Sequence, residues 1–249
     1  MHGMGKSRIY SQAPIAEAII DIRADLPKTV TVADLERCCT GQEAAYPTRS
    51  ALNQATGQIQ LGPSFSTTTQ TRPLGYICTA ADQKRSFQAR LDGFTMNRLA
   101  PYTNWEGFRD EARKVWEAYR AAVSPEKVTR VAVRYINRLD LPQPVMDLKD
   151  YFRTFPEVSA DLPQPAGGGF FMQVVIPQED IRSVVILTEA ATEEPGPNLS
   201  SIILDIDLFR TVDIPLDDEG VWGLFETLRR RKNEIFEACI TDRTRELIG

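Results

Sequence analysis

Arg130, Arg134 and Arg138 recur at every fourth position of residues 128–140 (VTRVAVRYINRLD). Read as a strand, a period of two puts them on one face with Ala132 and Ile136. Val131, Val133, Tyr135 and Asn137 take the other face. Planar guanidinium groups in a row suit two-point contacts with carboxylates or phosphates. Residues 16–24 (AEAIIDIRA) carry Glu17, Asp21 and Arg23 on one strand face. If the two strands pair, Glu17 and Asp21 make a cross-strand ion-pair ladder with Arg134 and Arg138. The functional reading of the same residues is a sheet face that grips an anionic ligand or an acidic peptide. Arg130, Arg134, Asn137, Arg138, Glu17 and Asp21 are then the binding residues. A second constellation is Asp205-Ile206-Asp207, with both carboxylates on one strand face. Such a pair holds Mg²⁺ in phosphoryl chemistry, but a third acid and a basic track are not identifiable, so a solvated outer face is the simpler reading.

Composition excludes much else. The 249 residues contain one histidine, His2, which removes Ser-His-Asp and Cys-His nucleophiles, HExxH zinc sites and His-carboxylate iron triads. The four cysteines, Cys38, Cys39, Cys78 and Cys239, form no CxxC and read as free thiols buried in a cytoplasmic core. Gly3-Met4-Gly5-Lys6-Ser7 lacks the first glycine, the strand and the helix of a phosphate-binding loop, and Gly167-Gly168-Gly169 precedes a strand instead of a helix. A net charge of −5 opposes a broad nucleic-acid surface. The run Arg229-Arg230-Arg231-Lys232 reads as a solvated helix face. No stretch is apolar enough for a membrane helix or a signal peptide.

The elements that must position these residues follow from local signals. Strands are expected at residues 16–24, 58–61, 74–80, 86–92 and 94–99, with Asp92-Gly93 as a hairpin turn. Thr31 caps a helix over residues 32–39, closed by Gly41, and Thr103 with Glu106 opens a long helix to residue 122. The order then repeats: a strand at 127–141, a short helix capped by Asp147, strands at 170–176, 181–188 and 201–212, and a last helix at 221–241 capped by Asp217 or Asp218. Trp105, Phe108 and Tyr119 share their spacing with Trp222, Phe225 and Phe236, which gives each long helix one buried aromatic stripe.

Three blocks resemble the hallmarks of a sporadically distributed bacterial family of uncharacterised proteins. They are Pro14-Ile15-x-Glu17-Ala18 with Ile20-Asp21-Ile22, then Arg134-Tyr135-Ile136-Asn137, then Lys232-Asn233-x-x-Phe236-Glu237-x-x-Ile240-Thr241. The resemblance spans the chain and brings no catalytic assignment with it; the patchy distribution implies a link to mobile elements or defence systems.

The expected fold is α+β: a tail over 1–13 and two halves, 14–124 and 125–249. Each half reads strand, short helix, antiparallel strands and long helix, a duplicated unit with a curved sheet like that of helix-grip or TATA-binding-protein folds. The expected function is non-enzymatic: a binding or regulatory protein without a cofactor that recognises a partner protein, such as a neighbouring gene's product, or a small anionic ligand. A homodimer is open; nucleic acid and membranes are not expected partners. The alternative is an Mg²⁺-dependent enzyme on nucleotides or nucleic acid that uses Asp205 and Asp207.

Overall fold

In the computed structural model, the described residues are all but 1–7, 9, 61–65, 143–146, 160, 164–168, 193–198 and 216, with side chains left out at 56–60 and 66–69. His2, the Gly3–Ser7 run, Gly167 and Gly168 lie outside them. Among the described residues are nine strands and four α-helices, a mixed α and β protein. In chain order they are β1 (Ile15–Asp25), α1 (Val32–Cys39), β2 (Thr48–Gln60), β3 (Ser66–Thr79), β4 (Arg85–Arg90), β5 (Gly93–Leu99) and α2 (Trp105–Val123). Then follow β6 (Lys127–Pro142), β7 (Phe171–Gln178), β8 (Ser183–Ala191), β9 (Leu199–Arg210), α3 (Asp218–Cys239) and α4 (Asp242–Ile248).

The chain divides into two compact units. The larger holds Met1–Ile19, Leu99–Tyr102 and Arg130–Gly249; the smaller holds Ile20–Arg98 and Thr103–Thr129.

In the smaller unit the strands run in the order β2-β3-β4-β5-β1. β2, β3, β4 and β5 are joined in antiparallel register. Asp92-Gly93 makes the expected turn. Gly93 sits at φ +141°, and a Cβ there would lie 2.1 Å from the Ile22 carbonyl oxygen, so no other residue fits. The helix α1 keeps its expected limits, with the Asp34 carboxylate accepting from the Thr31 amide at 2.9 Å and hydroxyl at 2.8 Å. The start of α2 differs by one residue: Asn104, not Thr103, is the cap, and its side chain accepts from the Gly107 amide. The aromatic stripe of α2 is buried as expected, with Trp116 stacked on Tyr119 at 5.3 Å and the Tyr119 hydroxyl donating to the Arg90 carbonyl.

In the larger unit the order is β1-β6-β9-β8-β7. β6 pairs with β9, β9 with β8 and β8 with β7, all antiparallel. One sheet face carries Val133, Tyr135, Leu204, Ile206, Val185 and Leu187, all buried. The buried stripe of α3, including Val221, Phe225, Leu228 and Phe236, supplies the other half of this core. After α3 the chain turns through Thr241 into α4, which no periodicity announced. Thr244 fastens this end by donating its hydroxyl to the Tyr151 carbonyl at 2.5 Å.

Candidate functional site

The strand β6 behaves as its alternation requires: Tyr135 and Asn137 point into the core, while Arg130, Arg134 and Arg138 lie on the opposite face. The arginines find a carboxylate ladder on β9. Arg130 reaches both oxygens of Asp207 at 3.1 and 3.0 Å. Arg134 holds both oxygens of Asp205 through Nε at 2.9 and 3.1 Å and Nη2 at 2.5 Å. Arg138 bonds Asp140 and Ser201, each at 3.0 Å. The β6–β9 register explains this. Arg134 stands opposite Asp207 and Ile136 opposite Asp205, so the acids share the arginine face and each long side chain reaches diagonally.

The expected pairing with β1 is corrected for Asp21. Glu17 acts on Arg134 through its charge, together with Asp205 and Asp207. Asp21 belongs to the smaller unit and is bonded there to buried Arg90 at 3.0 Å and to Thr95 at 2.8 Å. Asn137 is no surface donor either: its amide nitrogen donates to the Leu204 and Tyr135 carbonyls inside the core.

The same geometry redefines Asp205 and Asp207. They are not a solvated outer pair, because each faces a guanidinium, and a cation would have to compete with two arginines for these oxygens. Among the described residues no group of three or more His, Cys, Asp or Glu is arranged to hold a metal ion. The ladder also carries stability. Arg134→Ala leaves the mostly buried Asp205 without its counter-charge, and the expected cost is about 1–3 kcal/mol. Urea unfolding of Arg134→Ala, Asp205→Ala and the double variant checks this, since a coupled pair makes the double variant less damaged than the sum.

Among the described residues, no helix covers the arginine face. Beside the ladder it presents Val184 and Ile186 of β8 and the exposed Phe171 and Val175 of β7. Arg130 lies over the Phe209 ring at 4.5 Å, which adds a cation–π contact. The face thus sets Arg130, Arg134 and Arg138 against Asp140, Asp205 and Asp207, with Glu17 also acting on Arg134, and has apolar margins.

On the opposite, helix-covered face lie two groups that the sequence reading missed. Lys232, 8 % exposed, belongs to the buried stripe of α3; its ammonium sits 3.8 Å from the centre of the Tyr135 ring. Burial, then the charge of Arg229, pulls its pKa down to about 7. The Tyr135 hydroxyl meets that of Tyr102 at 3.0 Å. Glu189 is fully buried on β8, both its oxygens lack a hydrogen bond among the described residues, and burial raises its pKa to about 8. The expected solvated basic face is corrected accordingly: Lys232 is inside, Arg231 is bound to Asp180 and Glu234, Arg229 is half-buried, and of the four Arg230 alone is exposed.

A groove at the start of α3 is lined by Asp180, Arg210, Pro215 and Leu224. Arg210 is spent on the Val212 and Asp213 carbonyls and Asp180 on Arg231. The four cysteines are free and buried. Among the described residues no helix is long and apolar enough to cross a membrane.

Parts of all three blocks that carried the family resemblance meet in the larger unit, while Ile20-Asp21-Ile22 of the first block belongs to the smaller one. The Arg138 amide, just past the second block, donates to the Pro14 carbonyl of the first, and Lys232 of the third covers Tyr135 of the second. No family model and no curated protein matches this chain.

Proposed function

We propose that this protein is a non-enzymatic binding or regulatory protein whose ligand is a partner protein, docked on the arginine face of the larger unit. The observation that carries this reading is the uncovered sheet face with its balanced Arg130–Asp207 and Arg134–Asp205 pairs and apolar margins. A small anion would meet guanidinium groups already held by carboxylates, whereas a protein surface uses such a ladder for register and its apolar margins for affinity. The resemblance to a sporadic bacterial family supports a role beside mobile elements or defence systems, with the product of an adjacent gene as the first partner to test. The matching buried aromatic stripes of α2 and α3 support reading the fold as a duplicated, helix-grip-like pattern.

The test is co-expression with the products of the flanking genes. Wild type should co-purify with its partner, and Arg138→Glu, an exposed change, should weaken that binding by about 10-fold or more with little change in melting temperature. Undiminished binding by Arg138→Glu together with Arg134→Ala sinks the proposed face. Metal-dependent turnover of a nucleotide, lost in Asp205→Asn, would favour the enzymatic alternative instead.

A further inference from the structure

The outer strand of the larger unit, whose Phe171 and Val175 border the arginine face, carries a further feature in its backbone edge. β7 ends the strand order and has β8 as its single neighbour. Its backbone pattern is set by one bond: the Ala191 amide donates to the Phe170 carbonyl at 3.0 Å. Antiparallel alternation then turns the polar groups of Met172, Val174, Ile176 and Gln178 toward β8, and those of Phe171, Gln173, Val175 and Pro177 outward. The β8–β9 side agrees, since the Thr192 amide donates to Ser201 and thereby assigns the even residues of β8 to β9. Pro177, which has no N–H to offer, falls in the outward set, where a ladder within the chain loses nothing.

The side chains of this edge are as exposed as its backbone. Phe171 is 72 % exposed, Val175 61 %, Ile176 41 % and Val174 38 %. Of the nine large apolar residues exposed among the described residues, these four fall within six consecutive positions. Residues 170–178 contain no charge. Sheet edges are ordinarily guarded by a lysine, a bulge or short length, and this eight-residue strand has only Pro177 near its end.

We propose that β7 pairs with β7 of a second copy of this chain, antiparallel across a two-fold axis at Val174. This register alone matches all four outward residues with one another: Phe171 opposite Pro177 of the second copy, and Gln173 opposite Val175. Three amide donors from each copy then find carbonyls, six bonds in all. Val174 meets its own counterpart, and Met172 meets Ile176, so the exposed apolar side chains gain cross-strand neighbours on both faces. A second copy fits this edge because an uncharged strand meets its twin without like-charge repulsion, while Glu179 falls opposite Gly169 and not opposite itself.

Sedimentation velocity over a dilution series tests it. Wild type should run as a concentration-dependent dimer. Val175→Lys puts two charges at the seam, and Val175→Pro removes an outward N–H that β8 does not use. Each should weaken the dimer by about 10-fold or more while the melting curve holds; if Val175→Pro fails to fold, Val175→Lys decides alone. Val174→Cys should form a disulfide-linked dimer under oxidation, because self-paired residues at a non-hydrogen-bonded position bring their Cα atoms to about 4.5 Å. The four native cysteines are buried and supply no competing link. A monomer at every concentration, including the case in which a foreign strand takes the edge, overturns the proposal. So does a dimer indifferent to both Val175 variants. Arg138→Glu should leave this association unchanged, which separates it from the arginine-face reading.

Discussion

Glu189→Met should stabilise the protein, and the gain should widen as the pH rises from about 4.5 toward about 8. Glu189 is buried without a hydrogen-bond partner for either oxygen among the described residues, and desolvation alone raises its pKa from 4.5 to about 8. Between those two values the folded protein keeps a proton that the unfolded chain has released. The group's contribution to stability is therefore whole below about pH 4.5 and is lost as the pH climbs through about 8. The full gap corresponds to roughly 5 kcal/mol, and partial hydration reduces the expected difference at pH 8 to about 2–4 kcal/mol. Cys239 reports on the same pocket: its thiol is pushed up to about 12, first by burial and then by the charge of Glu189. Thermal or urea unfolding of wild type and variant across this range is the measurement. A gain that stays level with pH would mean that Glu189 titrates like an exposed carboxyl.

Lys232→Met should show the mirror dependence. The folded pKa of Lys232 lies near 7 against an ordinary 10.5, so between these values the unfolded chain holds the extra proton. Wild-type stability from this group therefore rises with pH across that window, and below about pH 7 the buried ammonium bears its full desolvation cost. The Tyr135 ring offsets about 1–2 kcal/mol of that cost, which leaves an expected gain for methionine of about 2–3 kcal/mol at pH 6, shrinking toward pH 10. Taken together, the two groups depress wild-type stability from pH 4.5 to 7, cancel between 7 and 8, and restore it above. In that middle window both are neutral in the folded protein.

How much of this was legible in the residues depends on which signal was local. The limits of α1, the Asp92-Gly93 turn and the buried aromatic stripes follow from caps, φ requirements and helical spacing, which act within a few residues. The long β2–β3 hairpin was mostly missed because its Thr, Gln and Asn residues show no apolar alternation; its pairing, not its composition, makes it a sheet. The arginines of β6 were placed on the right face, but β6 has two neighbours, β1 and β9. Composition does not say which neighbour supplies the acids, and register with β9 decides it. Lys232 could have been found: it stands four residues after Leu228 and four before Phe236, on the stripe itself, but the adjacent arginines made the run look solvated. Glu189 shares parity with Val185 and Leu187 in SVVILTEAA, a signal hidden by its place near the strand's end.

The division of the chain into units also orders events during its synthesis. Everything the smaller unit contains, from Ile20 to Thr129, has been translated before the ribosome has finished β6. The larger unit instead joins Met1–Ile19 to residues more than a hundred positions later. Vectorial emergence therefore lets the smaller unit close first, while the leading half of β1 waits for its β6 partner. Through that interval Ile15 and Ile19 lack the strand that flanks them in the finished fold.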